Sequence, residues 1–231
     1  GVLMHFRGCS GRPNRMAKSY HSGQTCDVDY FSQHLAQHYP AAKKAIVGFS
    51  LGGNVLTKYL AEQKQNIYQA ACVICAPLDL SSCCDRINQG FSRVYQKYLV
   101  DMLKTSTMKK INAKLLHNVD VKSLQHVRSI RDFDQMVTAP VNGFIDANDY
   151  YQRSSGRDVL KDIVAPCLII HASDDPFLCD KNTTAITTLP QQMTFEISPR
   201  GGHVGFISGS NPFKPQFWLE QRIPEFFTRY L

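Results

Sequence analysis

The chain has 231 residues, 43% of them hydrophobic, with eight cysteines and a formal net charge of +7. That is long enough for one sizeable core, and no run of apolar residues reaches the length a membrane span needs. The cysteines are not spaced like a disulfide framework. So many free thiols suit a reducing compartment, hence the cytoplasm.

Taken in chain order, the first segment, Val2 to Phe6, looks like the inside of a strand. Asp27 to Tyr39 follows, with Val28, Phe31, Leu35 and Tyr39 on one helical stripe. Lys44 to Phe49 is a second strand, and Asn54 to Gln63 a second helix. Ala70 to Ala76 is a third strand. Strands and helices that alternate, with apolar runs lacking strict alternation, predict a mostly parallel sheet covered by helices on both faces.

The alternation then stops until Pro166. The intervening stretch is predicted helical, with Phe91, Val94, Tyr95, Tyr98, Leu99, Met102 and Leu103 as an apolar face. A crossover between parallel strands needs far fewer residues, so 81–160 is expected to be an inserted helical lid. Residues 1–80 and 161–231 would then be the two parts of the core. Pro166 to His171 and Met193 to Ile197 are predicted strands, with a helix between them around Lys181 to Thr188. A last helix is expected from Pro224, a residue suited to a first helical turn, to Leu231, with Phe227 and Leu231 on its apolar side.

Charge is concentrated in the insertion. From Cys83 to Arg131 there are ten Lys/Arg and three Asp/Glu, a balance of +7. This is taken first as a solvated helix face, second as a surface for anionic lipid or substrate, and last as a nucleic-acid contact. Cys72-Val73-Ile74-Cys75 matches a metal-type spacing, but residues three apart on a strand point to opposite faces, so no metal site is expected.

Gly48-Phe49-Ser50-Leu51-Gly52 is a G-x-S-x-G sequence between a strand and a helix. Such a turn raises the serine Oγ above the sheet edge, where the Leu51 N–H at the helix start can hold an oxyanion. A serine needs a histidine to take its proton, and the histidine needs a carboxylate to orient it. The order serine, acid, histidine leaves two segments: Asp174-Asp175, just past a strand, and His203, flanked by Gly201, Gly202 and Gly205. Physics alone leaves the acid open between the two aspartates, one to face His203 and the other to pin its loop. His34 and His38 are assigned to the surface, and His171 to orienting the acid loop.

Four segments together carry a resemblance: Phe6 to Gly11, Gly48 to Asn54, Ala172 to Phe177 and Gly201 to Phe206, strengthened by Asn88 to Tyr95 and Trp218 to Pro224. The chain resembles the AB hydrolase 4 family, and within it a bacterial esterase group. The resemblance implies an α/β-hydrolase fold and hydrolysis of small-molecule or lipid carboxylic esters, with no cofactor and no metal. It selects Asp175, the aspartate before proline, to act with Ser50 and His203. It also implies strands and a glycine-bearing loop before Gly1 that supply a second oxyanion donor, so the chain is expected to be part of a longer enzyme. An acyltransferase or thioesterase with the same three residues is the alternative, as is a ligand-binding protein on the same scaffold. No nucleic acid is expected as a partner, peripheral lipid contact through the insertion is left open, and the oligomeric state is undetermined.

Overall fold

A computed structural model describes residues 1–179, 189–211 and 213–231. The helix expected around Lys181 to Thr188 lies outside the described residues. The chain divides into two compact units, one of Ser22–Cys83 with Ser155–Leu231, the other of Gly1–His21 with Cys84–Ser154.

The first unit is built on a parallel sheet of β1 (Ala45–Phe49), β2 (Ala70–Ile74), β3 (Cys167–Ala172) and β4 (Met193–Ser198), in that order across the sheet. Phe49 pairs with Ile74, and Ile74 with Ile170, so neighbouring strands finish at one edge. Every residue of β2 and β3 is buried, which explains the continuous apolar runs in the sequence. Helices cover both faces. On one lies α2 (Leu51–Glu62), whose Gly53 is packed so closely that a Cβ there would be 3.2 Å from Val73 Cγ1. On the other, Cys72 and Ile74 join a cluster with Leu219 and Phe226 of the last helix. Residue alternation along β2 supplies the two faces. Helix α1 (Cys26–His38) lies beside α2, with Thr25 Oγ1 donating to Glu62 Oε2 at 2.6 Å.

Three details of the first segment and the last helix differ from the sequence expectation. Residues 2–6 form no strand. Val2 and Leu3 are 70% and 81% exposed, and an apolar segment without a ladder partner has nothing to hold it as a strand. The last helix begins at Leu219, well ahead of Pro224, which sits inside it. Burial of Leu219 and Phe226 offsets the hydrogen bond that the proline lacks. It is Phe226, not Phe227 or Leu231, that is buried deepest on this helix.

The second unit is helical: α3 (Leu80–Ile87, beginning in the first unit), α4 (Ser92–Asn112), α5 (Val121–His126), α6 (Ile130–Phe133), a π-turn at Asp134–Thr138, α7 (Ala139–Asn142) and α8 (Ala147–Ser154). Residues 1–21 group with it rather than with the sheet. The buried Lys110 ammonium gives the reason: it donates to the carbonyls of Met16, Ala17 and Lys18 and to Ser19 Oγ, at 2.8–3.1 Å. Phe6 also stacks on Tyr20, with 5.0 Å between ring centres. Most of the apolar face expected of α4 is turned outward, although Leu103 packs against the cluster around Val100. Ser92, Gln96, Thr107 and Lys110 are buried, while Phe91, Val94, Tyr95, Tyr98 and Met102 are exposed. Hydrogen bonds make that arrangement tolerable: Arg86 Nη1 donates to Ser92 Oγ, and Gln96 Nε2 donates to Asn88 Oδ1.

In the first unit, two places where the chain crosses between units meet one buried side chain. Asn54 Nδ2 donates to Ser22 O, and Asn54 Oδ1 accepts from Gly156 N, both at 2.8 Å. Asn54→Ala removes both of these buried hydrogen bonds. Urea unfolding should show a loss of about 2–3 kcal/mol. A loss below about 0.5 kcal/mol would mean that these groups are satisfied some other way.

Candidate active site

The turn between β1 and α2 is set by close packing. A Cβ on Gly48 would fall 2.6 Å from Gly52 O and 2.8 Å from Gly53 Cα, and one on Gly53 would fall 2.8 Å from Ala76 Cβ. Strand and helix therefore meet as only glycine permits. The sequence pattern singled out Gly48 and Gly52; the need for glycine at Gly53 shows only in the packing. Ser50 carries the turn at φ 49°, ψ −124°, a costly conformation for a residue with a side chain. Its amide is tied to Ile74 O at 2.8 Å, continuing the sheet ladder to the apex. Leu51 is the first residue of α2, so its N–H is among the donors a helix leaves unused at its start.

Two loops from the same sheet edge reach this serine. Asp175, with its carboxylate fully buried, accepts from Phe177 N at 2.9 Å through Oδ1. Its Oδ2 lies 2.9 Å from His203 Nδ1, and His203 Nε2 lies 2.8 Å from Ser50 Oγ. The structure thus brings Ser50, His203 and Asp175 into one hydrogen-bonded line. The second aspartate has its own task, since Asp174 Oδ1 accepts from both Gly201 N and Gly202 N at 2.8 Å. One aspartate faces the imidazole, and its neighbour holds the loop that carries it.

The glycines around His203 serve fit more than flexibility. A Cβ on Gly201 would lie 2.6 Å from the Phe206 ring and 2.8 Å from Ala172 Cβ, and Gly202 has φ 57°. The Phe177 ring packs on the imidazole, 4.2 Å between centres. Cys75, Val204 and Phe206, all in segments beside this line, also have positive φ. Sequence reasoning missed Cys75, whose setting at the end of an apolar run resembles that of any core thiol. Burial pushes it up to about 12, so it stays a neutral thiol.

His34 and His38 are on the exposed side of α1, stacked on each other. His171 is fully buried, and neither ring nitrogen has a hydrogen-bond partner among the described residues. Any orienting of the acid loop by His171 therefore comes from packing of its ring. Among the described residues, no three or more His, Cys, Asp or Glu are grouped to hold a metal ion. No helix among them is long and apolar enough to cross a membrane.

A parallel sheet with a sharp strand-to-helix turn at a serine, followed in sequence by an acid and a histidine at the same edge, defines a class, and comparison bears it out. The family described as alpha/beta hydrolase fold matches residues 1–210, and the chain belongs to that family. Within it, the chain is 44% identical over 233 residues to "Putative esterase YheT" of Escherichia coli, covering all of this chain and 68% of that protein. It is 31% identical to a monoacylglycerol lipase of Saccharomyces cerevisiae, over 89% of this chain and 47% of that one. It thus spans from about half to 68% of the length of these curated relatives. Among solved structures, an esterase of Pyrococcus furiosus, Pf2001, shares the fold over 92% of this chain and 65% of that one, with a TM-score of 0.52 at 16% identity.

Burial lowers His171 from 6.5 to about 4. The folded chain keeps this ring neutral, whereas the unfolded chain protonates it below about 6.5. The neutral state's contribution is complete above that pH and is lost as pH falls toward 4, by up to about 3 kcal/mol. His21, also lowered to about 4, acts in the same sense. Asp134, raised to about 6 by burial, acts in the opposite sense between 3.8 and about 6. His171→Phe should therefore flatten the acid limb of the stability curve measured by urea midpoints from pH 8 to 4. Parallel curves for the two proteins would show that this ring does not titrate on unfolding.

Proposed function

We propose that this chain carries the catalytic centre of a serine hydrolase that cleaves carboxylic esters through an acyl-enzyme. The observation that carries the reading is the unbroken line from the Asp175 carboxylate through the His203 ring to Ser50 Oγ, at 2.9 and 2.8 Å. These are the separations at which a proton passes between heavy atoms. The names of the relatives, an esterase and a monoacylglycerol lipase, support an ester as the substrate.

His203 Nε2 accepts the Ser50 proton as Oγ attacks the ester carbonyl. Asp175, accepting from Nδ1–H, fixes the tautomer with Nε2 free and stabilises the imidazolium that forms. The carbonyl oxygen becomes an oxyanion, held by the Leu51 N–H at the positive end of α2. His203 then gives its proton to the leaving alkoxide. A water, deprotonated by the same nitrogen, cleaves the acyl-serine and releases the acid. Neither a metal nor an organic cofactor has a part in these steps. The five buried free thiols fit a reducing cytoplasm.

Ser50→Ala should abolish labelling by a fluorophosphonate probe and lower ester turnover by about 10⁴-fold or more, with Asp175→Asn similarly impaired. Labelling of Ser50→Ala at the rate of the parent would remove Ser50 from the mechanism. Product analysis with added alcohols would reveal acyl transfer in place of hydrolysis.

A further inference from the structure

Helix α4 is inside out over its first three turns. Phe91, at its N-cap, and Tyr98 are 76% and 64% exposed, Val94 and Met102 are 60% and 54%, and Tyr95 is 42%. At about 100° per residue these five positions fall within an arc of about 100°, and they run about 16 Å along the axis. The opposite side is buried, with Ser92 and Gln96 hydrogen-bonded inward and Val100 and Leu103 packed in an apolar cluster. The row is thus not a core face that failed to pack, because the inward positions are already filled and satisfied. Contiguous outward apolar rows of this kind mark contact surfaces.

Charge identifies the partner. The segment from Cys83 to Arg131 carries a balance of +7, equal to that of the entire chain. Arg93 and Lys97 are exposed on the same turns as the row, Lys97 paired with the exposed Asp101 at 3.1 Å, and Lys109 is exposed further along the helix. We propose that this face of α4 docks on an anionic lipid bilayer, with the aromatic and aliphatic row in the headgroup boundary and the basic residues against lipid phosphates. An apolar face bordered by lysine and arginine is the composition of helices that lie in a membrane surface. A second copy of the chain fits poorly, since pairing through this face would bring two strongly basic segments together. Nucleic acid is less well matched, because Val94 and Met102 offer no ring for a base to stack on. The inference concerns the surface of α4 and does not depend on the ester-hydrolase reading.

The test is co-sedimentation of the chain with sucrose-loaded vesicles of phosphatidylcholine, with and without phosphatidylglycerol. Binding is expected only to the anionic vesicles and should weaken with added salt. Tyr98→Ser combined with Met102→Ser should abolish it while leaving the circular-dichroism melt unchanged. Lys97→Gln and Lys109→Gln should each weaken it about fivefold. Ser50→Ala should sediment like the parent, so failure of the catalytic reading would remain distinct. A chain that stays in solution with anionic vesicles would overturn the proposal, as would unaltered sedimentation of the Tyr98/Met102 variant. Concentration-dependent dimerisation abolished by that variant would assign the surface to a second copy instead. Binding of single-stranded oligonucleotides without binding of vesicles would also overturn it.

Discussion

The close approach of β1 and α2 is the constraint on which the site depends. Two residues without side chains, Gly48 and Gly53, let a helix begin directly at the end of a strand. The residue between them has no comfortable conformation, and Ser50 is held at positive φ. A local penalty of this kind, on the order of 1–3 kcal/mol, persists only where the surroundings enforce it. Here the ladder bond from Ser50 N to Ile74 O and the packing against Ala76 do so. A hydroxyl on a free loop would be mobile; this one is as fixed as the sheet.

The other half of the site is assembled from loops, and its order comes from hydrogen bonds more than from secondary structure. Two adjacent aspartates divide the work, Asp175 toward the imidazole and Asp174 toward the amides of the loop that carries it. A change in one loop would therefore be transmitted to the other. Among the described residues, four of the five non-glycine residues with positive φ, all except Lys114, lie in the segments that build this edge. Among the described residues, backbone strain is gathered where positioning matters.

Much of this was legible in the sequence, for definable reasons. β2 and β3 are buried on both faces, and that imposes runs of Val, Ile, Leu, Cys and Ala that stand out without any partner being known. Ser50 and His203 were legible because glycines surround them for steric reasons. The division between Asp174 and Asp175 was not legible from physics, because it depends on where a loop nearly thirty residues away presents its amides. Most of the apolar stripe of α4 faces outward rather than inward, Leu103 excepted. Helical periodicity finds an apolar stripe but does not say which side faces inward, and the partners of Ser92 and Gln96 are set by tertiary structure. The segment 2–6 has strand composition, yet composition supplies no neighbour to pair with.

Asn54 has a consequence for how the molecule can vary. One side-chain amide clasps Ser22 and Gly156, beside two of the three points where the chain passes between units. The helix that starts at the serine turn therefore also holds the returning stem of the 84–154 excursion. Closing a longer excursion between fixed stems costs only about 0.6 kcal/mol per doubling of its length. The excursion can thus vary in length away from its stems, while the clasp keeps Ser22 and Gly156 fixed to α2.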